Sequence, residues 1–551
     1  MIPHLLSVIV FAPLCAAAAM FFMPRQAHGL IRNFSVGVLV LVFAVSVAGL
    51  LVDPRLSWGV GYQLVEHAPW IPSLGIAYKV GVDGMSLWLV LLTTLLTPLA
   101  LFASWGSITT KLKEYAIAFL LLEAGMLGAF VALDLFLFYV FWELMLIPMY
   151  LIIGMWGGPR RVYAAVKFFL YTMAGSLLML VAILYVASQY KAVSGAYSFD
   201  IEELVQLVLP IGAQYWLFLA FALAFAIKIP LFPFHTWLPD AHVEAPTGGS
   251  VILAAVMLKL GGYGFIRFAM PLFPLASHKL TPLFLAHFAV IGIVYGAYCA
   301  WVQKDVKKLV AYSSVSHLGF VMLGIFSLNA YAVSGAILQM VSHGISTGAL
   351  FLLVGVIYDR RHTRNLEDFG GLASVMPTYA ALFVIVALSS IGLPGTNGFV
   401  GEFMILSGTF VSGFGGVAGL PWARVFATVA TTGVIFAAVY MLHAVLRMFW
   451  GPSRSPKNAN LPDISRREMR AIVPLVALVF WIGLFPRTLL DSMEPSVHAF
   501  VADYNRKLVA TLNDDTPRLL TAEVPGKAQK APREPKALSL WPWWPTRGGR
   551  S

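Results

Sequence analysis

The chain consists largely of apolar runs that are each long enough to cross a membrane, and this feature leaves few folds open to it. A helix needs about 20 mostly apolar residues to span the hydrocarbon core of a bilayer. Hydrophobic residues make up 59% of the 551 positions and charged residues only 11%, a composition outside the range of soluble globular domains. The sequence therefore predicts an all-α polytopic membrane protein.

About fourteen runs meet this length requirement. Their approximate bounds are 3–23, 30–52, 81–104, 114–133, 135–155, 162–188, 213–232, 247–270, 282–301, 308–328, 332–358, 378–410 (interrupted), 425–450 and 471–489. The first run follows only Met1, Ile2 and Pro3, without a basic segment. We therefore expect a retained first helix and not a cleaved signal peptide.

The placement of the charges predicts a membrane topology. The net charge of +11, from 37 basic against 26 acidic residues, could also suggest a nucleic-acid partner. The basic residues, however, lie in the loops after odd-numbered runs: Arg25, Lys111, Lys113, Arg160, Arg161, Lys304, Lys307, Lys308, Arg360, Arg361, Arg364, Arg454, Lys457, Arg466, Arg467 and Arg470. The loop after the seventh run is the exception, with Asp240 and Glu244 and no basic residue. By the positive-inside rule the basic loops face the cytoplasm, so an even span count predicts both termini on the non-cytoplasmic side and no nucleic-acid partner.

The tail and the cysteines carry no motif for further chemistry. From Arg506 onward the chain holds nine basic and four acidic residues without periodicity, which predicts a disordered or surface-bound extension. Its "WPWWP" stretch fits either an interfacial anchor or packing on a neighbour. Cys15 and Cys299 stand alone and can build neither an iron–sulfur cluster nor a disulfide framework. We expect any redox chemistry that drives this protein to lie outside this chain, with no cofactor of its own.

Ionisable residues recur inside the apolar runs. A charge at the centre of a membrane helix costs roughly 2.5 to 3.5 kcal/mol on insertion scales, which one apolar helix can offset. Structural ion pairs that hold helices together are one interpretation. A whole series favours an ion or proton route, because such residues usually face a bundle interior or a watery path. The series is Glu123, Glu143, Lys167, Lys228, Lys259, His317, His343 and Glu402.

Two of these residues lie beside predicted helix breaks. Pro230 follows Lys228 within "AFAIKIPLF", and "SSIGLPGTNGFVGEF" places Pro394 and Gly395 before Glu402. Gly/Pro-interrupted apolar segments in corresponding positions indicate an inverted-repeat transporter, whose unwound backbone lines a cavity. For Glu402, the alternative is a simple capping role at the start of the second half-helix.

Two further patterns have weaker chemical interpretations. His235, Asp240, His242 and Glu244 could suggest a metal site, but their spacing matches no metal motif and the segment is predicted to be a loop. The glycines of "GFGGVAG", residues 413–419, follow no strand and predict a loop, not a dinucleotide site. No metal ligand is assigned.

Five stretches resemble a known family, the antiporter-like membrane subunits of respiratory complex I, and in particular the group called subunit M in bacteria and subunit 4 in mitochondria. The stretches are "FYVFWELMLIPMYLIIGMWG", "YAAVKFFLYTMAGSLLML", "FAIKIPLFPFHTWLPDAHVEAPTGGSVILAAVMLKLGGYG", "VKKLVAYSSVSHLGFVMLG" and "GLPGTNGFVGEF". They cover most of residues 80–450. The tail beyond about residue 505 carries no motif of this family.

The resemblance implies a fold. It predicts three N-terminal helices (1–106), two inverted five-helix repeats (107–276 and 277–450) with one discontinuous helix each, a last span (451–489) and a basic tail (490–551). It also implies a multi-pass protein of a bacterial cell membrane. Other membrane-arm subunits are the expected partners, and flavin, iron–sulfur clusters and quinone are expected in partner subunits.

The resemblance also implies residue roles in proton translocation. Glu143 and Lys228 are expected to form the paired charges of a first half-channel, and Lys259 the central relay. His317 and His343 are expected to connect it to Glu402, at the end of the second half-channel. Glu123 and Lys167 are secondary candidates. Alternatives are a subunit of a multi-chain sodium–proton antiporter or membrane-bound hydrogenase, or a scaffold whose charges only hold helices together.

Overall fold

The computed structural model describes residues 4–53, 56–412, 420–513 and 516–520. The "GFGGVAG" and "WPWWP" stretches lie outside these residues. The described helices, α1 to α23 in chain order, are Leu5–Phe21, His28–Val47, Gly84–Ala103, Leu112–Val131, Leu135–Leu144, Leu146–Trp156, Arg161–Ser194, Ile201–Leu204, Ile211–Lys228, Trp237–Glu244, Thr247–Ile252, Lys259–Gly264, Met270–Leu272, Pro274–Leu280, Ala286–Trp301, Val306–Phe326, Ala330–Arg361, Leu372–Val375, Pro377–Ile391, Asn397–Ser412, Ala423–Phe449, Arg466–Leu484 and Arg487–Asn513. The strands, β1 to β4, are Gln63–Ile71, Ile76–Val82, Leu207–Val208 and Arg518–Leu519.

The described residues confirm a helical, polytopic membrane protein. Among them, eleven helices are long and apolar enough to cross a membrane, or twelve if the bent pair α22–α23 is one span. Two further apolar helices, α1 and α19, are shorter. Several spans are built from consecutive segments; Thr247–Leu272, for example, joins α11, α12 and α13 through π-helical turns at Leu253–Met257 and Phe265–Ala269.

Two helices form the centre of the bundle. The most apolar stretches of Thr247–Leu272 and of α17 are buried along their whole length, whereas only 28% of that of the helix His28–Val52 is buried. A helix that is apolar on all sides is suited to such a central position. Lys259 and His343 lie on these two helices, so the fold places both far from solvent and lipid.

The helical path is interrupted at both predicted breaks. The helix α9 ends at Lys228 and α10 begins at Trp237, whose indole Nε1 donates a hydrogen bond of 2.9 Å to the carbonyl oxygen of Ile227. The second break separates α19 from α20, and it passes through Gly392 and Gly395 with φ of 86° and 90°. Glycine is suited to this left-handed backbone. Side chains such as Trp237 satisfy backbone groups that the broken helix leaves without partners.

The start of α19 is held by a residue of the loop between α21 and α22, Asp463. Asp463 accepts hydrogen bonds from the backbone N–H groups of Thr378 (2.9 Å) and Tyr379 (3.0 Å). Burial raises the pKa of this carboxyl, but the N–H groups of Ile464, Thr378 and Tyr379 outweigh burial and hold the pKa below the ordinary aspartate value. Asp463 is therefore ionised at neutral pH and caps the first half of the broken segment.

Three features of the fold differ from the sequence predictions. The segment around His242 was predicted to be a loop, but Trp237–Glu244 is helical. The tail from Arg506 was predicted to be a disordered or surface-bound extension, but of its described residues those up to Asn513 belong to α23 and β4 pairs with β3; residues 521–551 lie outside the described residues. An antiparallel hairpin of β1 and β2, absent from the prediction, precedes α3.

Candidate functional site

Lys259 lies at the centre of a buried polar chain. Its side chain is completely buried, and its Nζ donates to the carbonyl oxygen of Ala254, a residue of the preceding π-helical turn. The same Nζ lies 2.8 Å from Nδ1 of His343 on α17. The neighbours of Lys259 along its own helix are mostly apolar residues and glycines, and His343 reaches it from another helix.

The two predicted histidines face each other. The ring of His343 has its centre 5.8 Å from that of His317 on α16. Among the described residues, Nε2 of His343 has no hydrogen-bond partner, although it is buried. Buried polar groups of this kind are commonly satisfied by ordered water. The separation of the rings is therefore one that a bridging water can span.

His317 contacts Glu402 directly. Its Nδ1 lies 2.7 Å from Oε1 of Glu402, and both side chains are almost fully buried. The Gln339 side chain donates a hydrogen bond of 3.0 Å to the same carboxylate oxygen. Glu402 lies on the sixth position of α20, and its carboxylate points to α16 and α17. Its observed partners are therefore side chains of other helices and not the N–H groups that a helix cap would bind.

Glycine allows α20 to approach α17 this closely. A Cβ added at Gly401 would lie 2.8 Å from Cβ of Gln339, and an added Cβ at Gly335 would meet Met404. These glycines permit the backbones to pack without intervening side chains. The sequence therefore determines both the carboxylate and the close approach that brings it to Gln339.

The other side of the His317 ring faces a tyrosine that the sequence interpretation missed. Tyr440 on α21 is completely buried, and its hydroxyl lies 3.1 Å from Nε2 of His317. The hydroxyl of Ser390 lies 3.4 Å from the same nitrogen. Tyr440 is 123 residues away from His317 in the chain. Helical periodicity predicts neighbours within one helix only, so no signal in a single sequence identifies this pair.

Lys228 and Glu143 interact electrostatically but are not in direct contact. Lys228 is 2% exposed, and its Nζ lies 5.0 Å from the centre of the Trp142 ring. Glu143 is the opposite charge that acts on Lys228, but no ion pair joins them among the described residues. One carboxylate oxygen of Glu143 is buried and has no hydrogen-bond partner among these residues.

Lys228 is also separate from the central chain. No hydrogen bond or ion pair among the described residues joins it to Lys259. The helices that carry the two lysines nevertheless pack tightly, since an added Cβ at Gly261 would lie 2.6 Å from the carbonyl oxygen of Phe225.

The two secondary candidates have different surroundings. Lys167 forms an ion pair of 2.7 Å with Asp240 and donates to the carbonyl oxygen of Thr236 at 3.0 Å. It therefore links α7 to the segment that follows the first break. Glu123 on α4 is completely buried, and neither of its carboxylate oxygens has a hydrogen-bond partner among the described residues.

The four residues considered for a metal site do not converge. Asp240 pairs with Lys167, and Glu244 accepts a hydrogen bond of 2.9 Å from the backbone N–H of Arg160. His242 stacks on Phe351 with ring centres 4.7 Å apart. It is fully buried, both of its ring nitrogens lack a hydrogen-bond partner among the described residues, and Lys259 and Lys307 act on it electrostatically. His242 thus belongs to the surroundings of Lys259, a position that its sequence context did not reveal.

Comparison with protein families identifies this architecture. Residues 132–444 match the family model described as "NADH:quinone oxidoreductase/Mrp antiporter, TM", and residues 63–132 match "NADH-ubiquinone oxidoreductase chain 4, amino terminus". NADH-quinone oxidoreductase subunit M of Rhodobacter capsulatus is 46% identical over 517 residues, which cover 92% of this chain and 98% of the relative. The chain belongs to the NADH-quinone oxidoreductase subunit M family.

Other members and solved structures agree with this assignment. NADH-ubiquinone oxidoreductase chain 4 of Chondrus crispus is 41% identical over 88% of this chain and 94% of its own. A chain of respiratory complex I from Thermus thermophilus, solved with bound NADH, is 34% identical and superimposes with a TM-score of 0.80 over 91% of this chain and 99% of its own. The Mrp complex from Dietzia sp. DQ12-45-1b contains a chain of the same fold, with a TM-score of 0.76 at 20% identity over 92% of this chain and 99% of its own.

Proposed function

We propose that this chain is a proton-translocating membrane-arm subunit of an NADH-quinone oxidoreductase. In this proposal it moves protons through its buried Glu, Lys and His residues, driven by quinone reduction in other subunits. Those subunits hold the flavin, the iron–sulfur clusters and the quinone, and the complex resides in a bacterial cell membrane. The observation that carries the proposal is the chain of contacts from Lys259 through His343 and His317 to Glu402.

Each member of this chain can bind and release a proton. A proton charges a neutral lysine and neutralises an ionised glutamate, and histidine exchanges protons near neutral pH. A proton that leaves Lys259 passes to His343, which is in direct contact, and then across the ring gap to His317. His317 carries it through the imidazole ring to Glu402.

Lys228 and Glu143 regulate the binding and release of protons in the first half-channel. Because they are close enough to interact but do not form a direct ion pair, a small movement of Glu143 changes the stabilisation of a charge on Lys228. An opposite charge favours the charged form of a buried lysine, and its withdrawal favours release of the proton. The charge of each residue acts on the other, so the switch belongs to both.

The finer architecture is part of the proposal. Twelve spans, the short helix α1 and the broken pair α19–α20 together make fourteen membrane segments. We assign residues 107–276 and 277–450 to two inverted repeats, each with one break next to a proposed proton site. Both termini then lie on the non-cytoplasmic side, and neighbouring membrane-arm subunits are the partners.

The test of this function is the substitution Glu402→Gln. Glutamine keeps the size of the side chain and an oxygen that can accept from His317, but it cannot ionise. We expect NADH-driven proton pumping by the assembled complex to fall by about 10²-fold, the lower end of what a positioned proton-transfer group contributes.

Glu367→Gln is the matched control, because it makes the same chemical change at an exposed carboxylate that pairs with Lys304. Its pumping rate should equal that of the parent complex. Pumping at the parental rate by an assembled Glu402→Gln complex would contradict the relay.

A sodium–proton antiporter subunit is the second candidate function, supported by the fold shared with the Mrp complex. The two functions differ in what accompanies the chain. Purification of the native complex with NADH-oxidising subunits supports the oxidoreductase, whereas sodium-dependent transport without them supports the antiporter.

A further inference from the structure

Tyr440 occupies a position in the polar chain that the relay described above leaves without a role. Its side chain is completely buried and its hydroxyl lies 3.1 Å from Nε2 of His317, while the nearby Ser313 hydroxyl, which donates to the carbonyl oxygen of Val310, acts on it electrostatically and keeps an oxygen that can accept. Ser313 lies one helical turn before His317 on α16, so both groups face α21 from the same side. The tyrosine hydroxyl therefore has two alternative partners, one of which is the proton-carrying ring.

We propose that Tyr440 is a positioning residue that keeps Nδ1 of His317 directed at Glu402 in each protonation state of the ring. This inference rests on the proposed proton relay, and it concerns one residue that the relay itself does not require. The geometry assigns to the tyrosine hydroxyl a rotation between His317 and Ser313, and the Tyr440 proton itself is not transferred.

The hydrogen-bond inventory of the ring supports this rotation. An ionised Glu402 can only accept, so Nδ1 of a neutral His317 must carry the proton and Nε2 must accept. Tyr440 is then the donor to Nε2. When a proton arrives at Nε2, that nitrogen becomes a donor, and the tyrosine oxygen accepts while its hydrogen turns to Ser313.

Proton transfer through His317 is balanced without a proton from Tyr440. One proton enters His317 at Nε2, and one leaves from Nδ1 to the carboxylate of Glu402, which becomes neutral. His317 is then neutral with its remaining proton on Nε2, and it still donates to the Tyr440 oxygen. Tyr440 thus keeps a hydrogen bond to the ring before, during and after the transfer, which holds the ring plane fixed.

The other groups around His317 do not provide this support. The titratable side chains that face it are Glu402 from α20, His343 from α17 and Tyr440 from α21, with Lys259 beyond His343. The helix α15 packs on α16 through Ile293 and glycine contacts. His235, which lies just before α10, faces Tyr312 of α16. Ser390 is the only other described side chain at Nε2, at the longer distance of 3.4 Å.

The experiment is Tyr440→Phe in the complete complex. It removes one hydroxyl and keeps the ring that packs between α16 and α21. We expect the complex to assemble and coupled NADH:quinone turnover to fall about tenfold, as for loss of a hydrogen bond to a charged group. A bond to a charged ring is roughly twice as strong as one to a neutral ring. The substitution therefore disfavours the protonated ring, and the alkaline limb of the pH–rate profile should move to lower pH by about one unit.

Tyr379→Phe is the matched control. Tyr379 is also completely buried, and its hydroxyl donates a hydrogen bond of 3.1 Å to the carbonyl oxygen of Leu353, away from the relay. Its pH–rate profile should stay at the parental position. Ser313→Ala, a second variant, removes the alternative acceptor and should move the profile in the same direction as Tyr440→Phe by a smaller amount.

A Tyr440→Phe profile that coincides with that of the parent or only falls in height, as for a packing defect, overturns the inference. Glu402→Gln separates this failure from failure of the relay. If Glu402→Gln abolishes pumping and Tyr440→Phe leaves the profile in place, the relay stands and the role of Tyr440 is wrong. If Glu402→Gln pumps normally, the relay itself is wrong.

Discussion

Lys259 is a buried amine whose side-chain partner is a histidine ring and not a carboxylate. Its contacts are the Ala254 carbonyl oxygen and Nδ1 of His343. If the contact with Nδ1 is a hydrogen bond in which the ring accepts, the ring must be unprotonated on that nitrogen. Lys259 and His343 therefore cannot both hold a full complement of protons in this geometry, and transfer of one proton changes both residues.

Lys259→Arg tests whether deprotonation at this position is part of the cycle. Arginine keeps the positive charge but stays protonated at any accessible pH, so we expect coupled turnover and pumping to fall by about 10²-fold in an assembled complex. Lys279→Arg, at an exposed position on α14, is the control and should leave coupled turnover and pumping unchanged. Normal pumping by Lys259→Arg would show that Lys259 never releases its proton.

The proposed switch between Glu143 and Lys228 gives a second prediction at this scale. We expect Glu143→Ala or Lys228→Ala to leave the complex assembled and to reduce pumping and quinone reduction about tenfold or more, because each removes one member of the pair. Glu114→Ala, which removes a carboxylate that pairs with Arg25 at the surface, should retain both activities. The measurement is the pumping rate per assembled complex. Parental pumping by either variant in an assembled complex contradicts the switch.

The sequence predicts which residues are unusual but not which of them meet. A charge within an apolar run is visible without a structure, and so are Lys259, His317, His343 and Glu402. Their contacts join residues 84 and 85 positions apart in the chain. Those contacts depend on how separate helices pack, and the roles of the residues stay predictions until the substitutions are made.

At the scale of elements, the breaks were predictable because their cause is local. Proline removes a backbone donor and glycine permits left-handed backbone, so "KIP" and "GLPG" mark the interruptions directly. The helix α10 was missed because Pro239 lies inside it and its flanks are rich in proline and glycine. Proline is tolerated in the first turn of a helix, where its missing N–H has no partner in any case.

The helical start of the tail was not predicted because the packing of α23 is long-range. The hydroxyl of Ser492 on α23 accepts a hydrogen bond of 2.8 Å from Nε1 of Trp88, and that of Ser496 accepts one of 3.2 Å from the backbone N–H of Gly84. These contacts connect α23 to α3 across more than 400 residues. Composition alone favoured an extension, whereas the contacts with α3 stabilise a helix.

Gly84→Ala tests this junction. An added Cβ would collide with the carbonyl oxygen of Ser492, which belongs to the backbone and cannot turn aside. We expect this overpacking to cost roughly 1–3 kcal/mol and to displace α23. The subunit should then be lost from the detergent-solubilised complex at a lower temperature. Gly29→Ala on α2 is the control, because an added Cβ there meets nothing within 4 Å. An unchanged dissociation temperature for Gly84→Ala would mean that α23 does not depend on this contact.

At the scale of the whole molecule, the buried polar chain joins the two repeats that we propose. Lys259 lies in the first proposed repeat, while His343, His317 and Glu402 lie in the second. A proton that crosses from Lys259 to His343 therefore crosses the boundary between the repeats. In this proposal each repeat contributes one break, and the contact between the two central helices connects the repeats.

The chain contains two cysteines, Cys15 and Cys299, which are separate and unpaired. Two isolated thiols cannot ligate an iron–sulfur cluster, and we propose that electron transfer occurs in other subunits of the complex. Proton movement in this chain and oxidation of NADH are then separate reactions, coupled only when quinone is reduced. A substitution in this chain should therefore affect the coupled reaction and spare the uncoupled one.

Lys259→Ala in the assembled complex tests this separation. We expect proton pumping and NADH:quinone turnover to fall together by about 10²-fold, because a missing relay residue blocks the step to which quinone reduction is tied. NADH oxidation by a soluble artificial acceptor such as ferricyanide, which takes electrons before the quinone, should keep its parental rate per complex. A parallel fall in the ferricyanide rate would mean that the substitution damages the redox subunits or assembly. Retained quinone turnover with lost pumping would mean that proton transfer through Lys259 is not obligatorily coupled to quinone reduction.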